Sequence, residues 1–289
     1  MGECRALYKD KKHRVWELDF LRGVAVIAMC FDHLMYNCSH PRYFFSNFKV
    51  GMNTFADKLY SFAVLYWNSG DVESVGFRFW AHYIFVFLFL FLVGTSCAFS
   101  RDNTKRGSQL AVVALAFTGA TMILRHVGIL EDGIIFGILH CIALSILCAS
   151  AVDIATKKCK ILNIYLPLVL GTAIIAVGIA KQFWTMSLSY NYDDSFEASH
   201  LIEYIMGTRA YGDDWFGLFP YLGAVLMGMY WGKAVYSSRR SLVPVLDGKW
   251  NKPFRFVGRH ALLFYLAHQV VITGLVMLIG MCMGYKPII

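Results

Sequence analysis

Seven apolar runs recur along this chain, at 18–36, 79–99, 108–124, 132–151, 162–180, 215–233 and 260–283. Each is close to the ~20 residues that a helix needs to cross hydrocarbon. Lipid offers no hydrogen bonds, so every backbone N–H and C=O in such a run must be satisfied within the segment, and an α-helix does this. Composition agrees, with 57% hydrophobic residues, 16% charged and a mean hydropathy of +0.52, whereas soluble domains hold about 25% charged residues. The expected fold is therefore all-α: a multi-pass integral membrane bundle, one domain over residues 1–289. The first run has the length of a span and no small-residue cleavage motif after it, so it reads as an anchor and not as a cleaved signal peptide.

The stretch 52–67, MNTFADKLYSFAVLYW, is shorter and is interrupted by Asp57 and Lys58. It suits an interfacial or re-entrant helix better than an eighth span. Charge tests that count. With the N-terminus inside, the pieces 1–17, 100–107, 152–161 and 233–259 are cytoplasmic and hold 18 of the 27 lysines and arginines. Eleven of the 19 acids fall on the far side, Asp193, Asp194, Glu197, Asp213 and Asp214 among them, in an acidic, tyrosine-bearing loop over 181–214. An eighth span would flip every later loop and erase this asymmetry. Seven spans, N-terminus in and C-terminus out, is the expectation. The net charge of +8 thus reads as a topology signal, and nucleic acid is excluded as a partner. The eight cysteines show no CxxC or metal-ligand spacing and lie mostly in apolar runs. They read as small buried hydrophobes; no metal site is expected, and Cys38–Cys282 is the one disulfide pairing considered.

Against that background the polar residues inside the spans stand out. The first run carries Arg22 about one turn in, with Asp32 and His33 near its other end. Eleven residues separate Arg22 from His33, a rise of roughly 16 Å. A central charge costs about 2.5–3.5 kcal/mol on insertion scales, so it normally faces a cavity or a partner. Snorkelling of Arg22 to headgroups and an interfacial place for His33 are the plainer alternatives. His82 begins the second run, Arg125 and His126 close the third, and Glu131 and Asp132 open the fourth; these could form a solvated rim. His140 and His268 fall well inside their runs, where a helix–helix hydrogen bond is the plainer reading. The depths suggest two polar levels. Arg22, Arg255 and Arg259 mark a cationic inner mouth that would attract phosphate. His33, Asp32, His82 and Arg125 mark a far level, where a histidine can act as base near neutral pH. Asp32 sits about 100° around the helix from His33 and is expected to pair with Arg125 or His82.

LDFLRGVAVIAMCFDH, with its Arg–x10–His spacing, resembles the first helix of the transmembrane acyltransferases, both the acyltransferase-3 family and the family of heparan-alpha-glucosaminide N-acetyltransferase. The second family is the nearer likeness. FLFLFLVGTSCAFS (87–100), FGILHCIALSILCASAV (136–152), DDWFGLFPYLGAVLMGMYWG (213–232) and VGRHALLFYLAHQVVI (257–272) are similar to its further motifs, in order. The resemblance implies a multi-pass enzyme that carries an acetyl or acyl group from cytoplasmic acetyl-CoA to an amine or hydroxyl of a sugar or glycan beyond the membrane. Residue by residue, it implies that Arg22 helps hold the CoA donor and that His33 lies at the transfer point. Asp19, Arg125, His140 and His268 are the other candidates for donor binding, and Asp32 joins His33 in the catalytic set. The heparan enzyme carries an amide where His33 stands and has its catalytic histidine in the following loop. His40 is only an approximate counterpart, so His33 is preferred with His82 and His40 in reserve. The expected partners are acyl-CoA, a sugar or glycan acceptor and the lipid bilayer, with a homodimer admitted. The expected location is a cell membrane, that of a bacterium. A transporter of a sugar or organic anion through the same polar path is the alternative; the sequence lacks the internal repeats such proteins often carry.

Overall fold

A computed structural model of the chain describes residues 15–70, 76–128, 130, 133–186, 192–193, 195–212 and 214–288. The readings placed above on Cys4, the basic residues before Val15, Glu131, Asp132, Asp194 and Asp213 lie outside the described residues. The described residues form ten α-helices in order: α1 Trp16–Ser39, α2 Thr54–Asn68, α3 Phe77–Phe99, α4 Asn103–His126, α5 Ile138–Thr156, α6 Lys160–Met186, α7 Leu201–Met206, α8 Leu218–Ala234, α9 Lys252–Arg259 and α10 Ala261–Cys282. Among the described residues there is no strand, only two isolated bridges, Phe45 with Pro287 and Tyr192 with Ala210.

This is an all-α, multi-pass membrane protein. Among the described residues five helices are long and apolar enough to cross a bilayer: Phe77–Cys97, Asn103–His126, Ile138–Thr156, Lys160–Ala180 and Ala261–Cys282. The other two expected spans fall short for separate reasons. Helix α8 has 17 residues, and α1, although 24 residues long, carries Glu17, Asp19, Arg22 and Asp32. Helix α2 has 15 residues, a rise of about 22 Å against a hydrocarbon core of about 30 Å. Asn53 starts it by accepting the Phe55 and Ala56 N–H groups at 3.0 and 3.1 Å. The fourth apolar run begins at 132, yet α5 starts only at Ile138, because Gly137 takes the cap position and His140 Nδ1 accepts its N–H at 3.3 Å. Cys38 and Cys282 are both free thiols, so the pairing considered from sequence is not made.

The chain packs as two compact units, one of residues 1–89 and 240–289, the other of 90–239, with α3 shared between them. In the first unit α1 crosses α9 with backbones almost touching. A Cβ built on Gly23 would stand 1.9 Å from the Phe254 carbonyl oxygen, and one on Gly258 would stand 1.8 Å from that of Asp19. Only glycine permits this approach, which is how small residues serve helix interfaces in membranes. Helix α10 then runs parallel to α1. His33 meets His268 and Asn37 meets Thr273, the pairings advancing in the same direction along both helices. Beyond α10 the tail pairs antiparallel with the segment after α1: Ile288 N–H donates to Phe44 O at 2.9 Å and Ser46 N–H to Lys286 O at 3.0 Å. Phe45, Phe48 and Tyr285 close a small core beneath that tie.

In the second unit α8 is the central element, with Val225, Leu226 and Met229 almost wholly buried. The residues of α3 from Leu90 onward pack against it through Gly94, whose Cβ would stand 1.8 Å from the Val225 carbonyl oxygen, and through Gly228 against Phe91. Helix α6 crosses α8 at Gly171 and Gly223. Pro167 inside α6 has no N–H for the Asn163 carbonyl. Lys233 Nζ of α8 supplies the donor instead, at 3.0 Å, while also reaching Asp153 Oδ1 at 2.6 Å. The outer side chains of α4 and α6 are large and apolar, including Val112, Leu115, Ile161 and Val169, all exposed. Small residues between helices and large apolar ones outside are the inverse of a soluble surface and match a lipid-facing wall.

Candidate active site

The Gly23–Gly258 crossing brings two guanidinium groups to one carboxylate at the start of α1. Arg22 Nη1 donates to Asp19 Oδ1 at 3.1 Å, and Arg259 Nε donates to Asp19 Oδ2 at 3.2 Å. Arg22 also reaches the Gly258 carbonyl at 3.5 Å. Two cations on one buried acid leave a net positive charge here. Arg255, one turn before Arg259, is paired with Asp247 and Asn251. The three arginines read as an inner level thus lie on adjoining turns of α1 and α9. Arg22 is held, its side chain 17% exposed, so snorkelling does not describe it.

Eleven residues on, His33 faces His268 of α10. The rings meet edge to face, with centroids 4.6 Å apart and planes at 85°. Each ring uses Nδ1 on its own helix: His33 on the Met29 carbonyl at 3.0 Å, His268 on the Tyr265 carbonyl at 2.5 Å. A carbonyl only accepts, so in both rings Nδ1 carries a hydrogen, and a neutral ring of this tautomer keeps its lone pair on Nε2. His268 Nε2 is buried and has no hydrogen-bond partner. One turn further, buried Asn37 donates to Thr273 Oγ1 at 3.0 Å and accepts from Gln269 at 3.4 Å, pinning α1 to α10 beside the imidazoles. The result is two imidazoles in contact on a parallel pair of helices.

Asp32 departs from expectation. Its hydrogen-bond partners are Arg78 and Tyr66, neither of which was expected. Arg78 grips both carboxylate oxygens, Nε to Oδ1 at 2.8 Å and Nη2 to Oδ2 at 3.1 Å, and Tyr66 OH adds 3.0 Å to Oδ1. The Arg78 guanidinium also lies 3.5 Å over the Trp67 ring. Burial, then the Asp32 carboxylate, pushes the Tyr66 phenol up from its ordinary value, so it stays a donor. Sequence reasoning passed over both residues. The available signal was an arginine four residues before His82 at the mouth of an apolar run, one helical turn away on the same face. His82 lies within electrostatic reach of Asp32, Arg78 and His33.

His40 caps the end of α1, where Nδ1 reaches the Tyr36 carbonyl at 3.1 Å and Ser39 Oγ at 2.9 Å. Its ring stacks on Tyr43 at 5.5 Å and 8°. It stands seven residues past His33, about 10 Å along the helix axis. Arg125 and His140 belong to the second unit. Arg125 is in the last turn of α4, where a cation suits the helix dipole. His140 has both nitrogens engaged, Nδ1 by the Gly137 N–H and Nε2 by Thr118 Oγ1 at 3.1 Å, so it ties α4 to α5.

A family model described as heparan-alpha-glucosaminide N-acetyltransferase, catalytic, matches residues 14–67 and 55–270, which takes in both the Arg22 level and the His33–His268 pair. The chain belongs to this family. It is, in that general sense, a membrane acetyltransferase. No curated protein and no solved structure gives a match. For a member of the heparan-alpha-glucosaminide N-acetyltransferase catalytic family, the glycines of the RG and GR motifs gain a plain physical meaning: Gly23 and Gly258 are where α1 and α9 touch, and Arg22 and Arg259 are their immediate neighbours.

Proposed function

We propose that this chain, seated in a cell membrane, takes the acetyl group of acetyl-CoA from the side where α1 and α10 begin. It passes that group to an amine or hydroxyl of a sugar on the side where they end. The observation that carries the reading is the His33–His268 pair, each ring anchored through Nδ1 to its own helix, with His33 about 16 Å along α1 from Arg22 of the doubly cationic level. An extended pantetheine arm is of the same order, so phosphates held by Arg22 and Arg259 would leave the thioester near His33. In the transfer the acceptor oxygen or nitrogen attacks the thioester carbonyl, and His33 Nε2 takes its proton. The C–S bond then breaks, and coenzyme A leaves as the thiolate. His33 is preferred to His268 as base because His268 Nε2 is buried. Asp32, clamped by Arg78 and Tyr66, holds the mouth of α3 and the end of α2 against α1 and so fixes the walls of the site.

The test is transfer by the full chain in proteoliposomes. Labelled acetyl-CoA is supplied on one side and an amino-sugar or hydroxyl acceptor on the other. Acetylated acceptor opposite the donor supports the reading. Acceptor that crosses unmodified sinks it in favour of transport.

A further inference from the structure

Between α8 and α9 the chain turns through a short 3-10 helix, Pro244–Leu246, and its side chains are distributed oddly. Val245 is 92% exposed, and Leu242, Val243, Leu246 and Trp250 are exposed beside it. Arg240, Lys249 and Lys252, also exposed, flank them. Five large apolar side chains presented within nine residues, with three cations around them, are costly in water and well suited to a membrane interface. The loop is held in position. Leu242 N–H donates to Glu17 Oε1 at 2.7 Å, and Trp250 packs edge-on against Trp16 and Phe20 at 6.5 and 5.2 Å. These contacts fasten it to the first turn of α1, level with the point where the apolar part of that helix begins.

We propose that residues 240–252 form a lipid-docking loop: Leu242, Val245, Leu246 and Trp250 enter the headgroup boundary, and Arg240, Lys249 and Lys252 bind anionic phospholipid headgroups of the leaflet at which α1 and α10 start. Charge complementarity selects an anionic lipid. Each cation near such a surface adds to the attraction, and the tip supplies the apolar contact that a free phosphate or a nucleotide would not need. The loop is continuous with α9, whose Arg259 shares Asp19 with Arg22, so lipid docking steadies the α9 end of the donor level.

The experiment places a nitroxide at Val245→Cys in the full chain, with exposed Cys159 and Cys282 replaced by serine. Immersion depth is read from accessibility to oxygen and to a water-soluble nickel chelate. In vesicles rich in phosphatidylglycerol the label should be oxygen-accessible and shielded from nickel. The triple variant Arg240→Gln, Lys249→Gln, Lys252→Gln should lose most of that shielding, down to the level seen in pure phosphatidylcholine. A label that is equally nickel-accessible in both lipids overturns the proposal. So does immersion indifferent to lipid charge and to the triple substitution. Spin–spin broadening in place of immersion would make the loop a contact between two copies and would overturn it as well.

Discussion

His33 and His268 reach the same tautomer by the same local device, a ring N–H returned to a carbonyl of the preceding turn. Each side chain is thereby fixed on its helix, and a neutral His33 ring offers Nε2 as the base the proposed transfer needs. Replacing His33 with alanine is expected to lower acyl transfer by about 10²–10⁴-fold while coenzyme A binding and membrane insertion persist. Transfer assays paired with isothermal titration of coenzyme A check this, and wild-type turnover in that variant alongside a dead His40→Ala or His82→Ala would move the base elsewhere. Arg22 sits at the other end of the same helix. Arg22→Ala is expected to weaken acyl-CoA affinity roughly ten- to hundredfold, the effect of losing one charge-assisted contact of about 1.5–3 kcal/mol. Unaltered affinity would leave Arg22 a purely structural partner of Asp19. Asp32→Asn keeps the shape but gives up the charge opposite Arg78 and is expected to lower kcat without abolishing coenzyme A binding. Equal loss of both would assign it to overall packing.

Where two helices cross, glycine decides the distance. Gly23→Ala or Gly258→Ala would drive a methyl into a carbonyl oxygen under 2 Å away, and α1 and α9 would have to part. Overpacking of this kind typically costs about 1–3 kcal/mol, so the midpoint of thermal unfolding in detergent should fall. Gly274→Ala, on α10 with open space around the built Cβ, is the control and should change that midpoint little. A second element-scale prediction concerns the segment after α6. Asp193 accepts from Tyr204, Arg209 and His200, and these donors, Tyr204 foremost, hold its carboxyl down at about 2 from an ordinary 3.8. A depressed folded pKa stabilises the segment fully above the unfolded value and loses that stabilisation as pH falls through the folded one. The fluorescence of Trp215, whose Nε1–H donates to the Tyr204 carbonyl, should therefore report loosening between about pH 4 and pH 2. Asp193→Asn should flatten that profile, and an unchanged profile would separate the ion network from the local fold.

At the scale of the molecule, the parallel course of α1 and α10 bears on topology. If both cross the membrane in the same direction, the number of crossings from the first to the last is odd. Five apolar helices together with α1 and α8 satisfy this, whereas eight spans do not. The expected outcome of cysteine labelling in sealed vesicles is residue 286 on the far side, in company with residues 42–47, to which its strand-like tail is tied. Labelling of 286 on the same side as residue 240 would overturn the seven-span arrangement. Much of this was legible in one dimension. The length of an apolar run sets whether a helix can span, and the rise per residue sets how far His33 lies from Arg22, so the separation of these two residues followed from spacing alone. Which groups meet across helices did not follow, because that depends on the rotation and crossing of each pair. The Gly23–Gly258 contact settles the rotation of α1 against α9, and α10 follows. Only then does His268 face His33, and only with α2 and α3 in place does Asp32 find Arg78 and Tyr66. The sequence determined the helices and the depths at which charge is tolerated; the tertiary structure chose the partners, since a partner is a matter of helix faces and not of position along the chain.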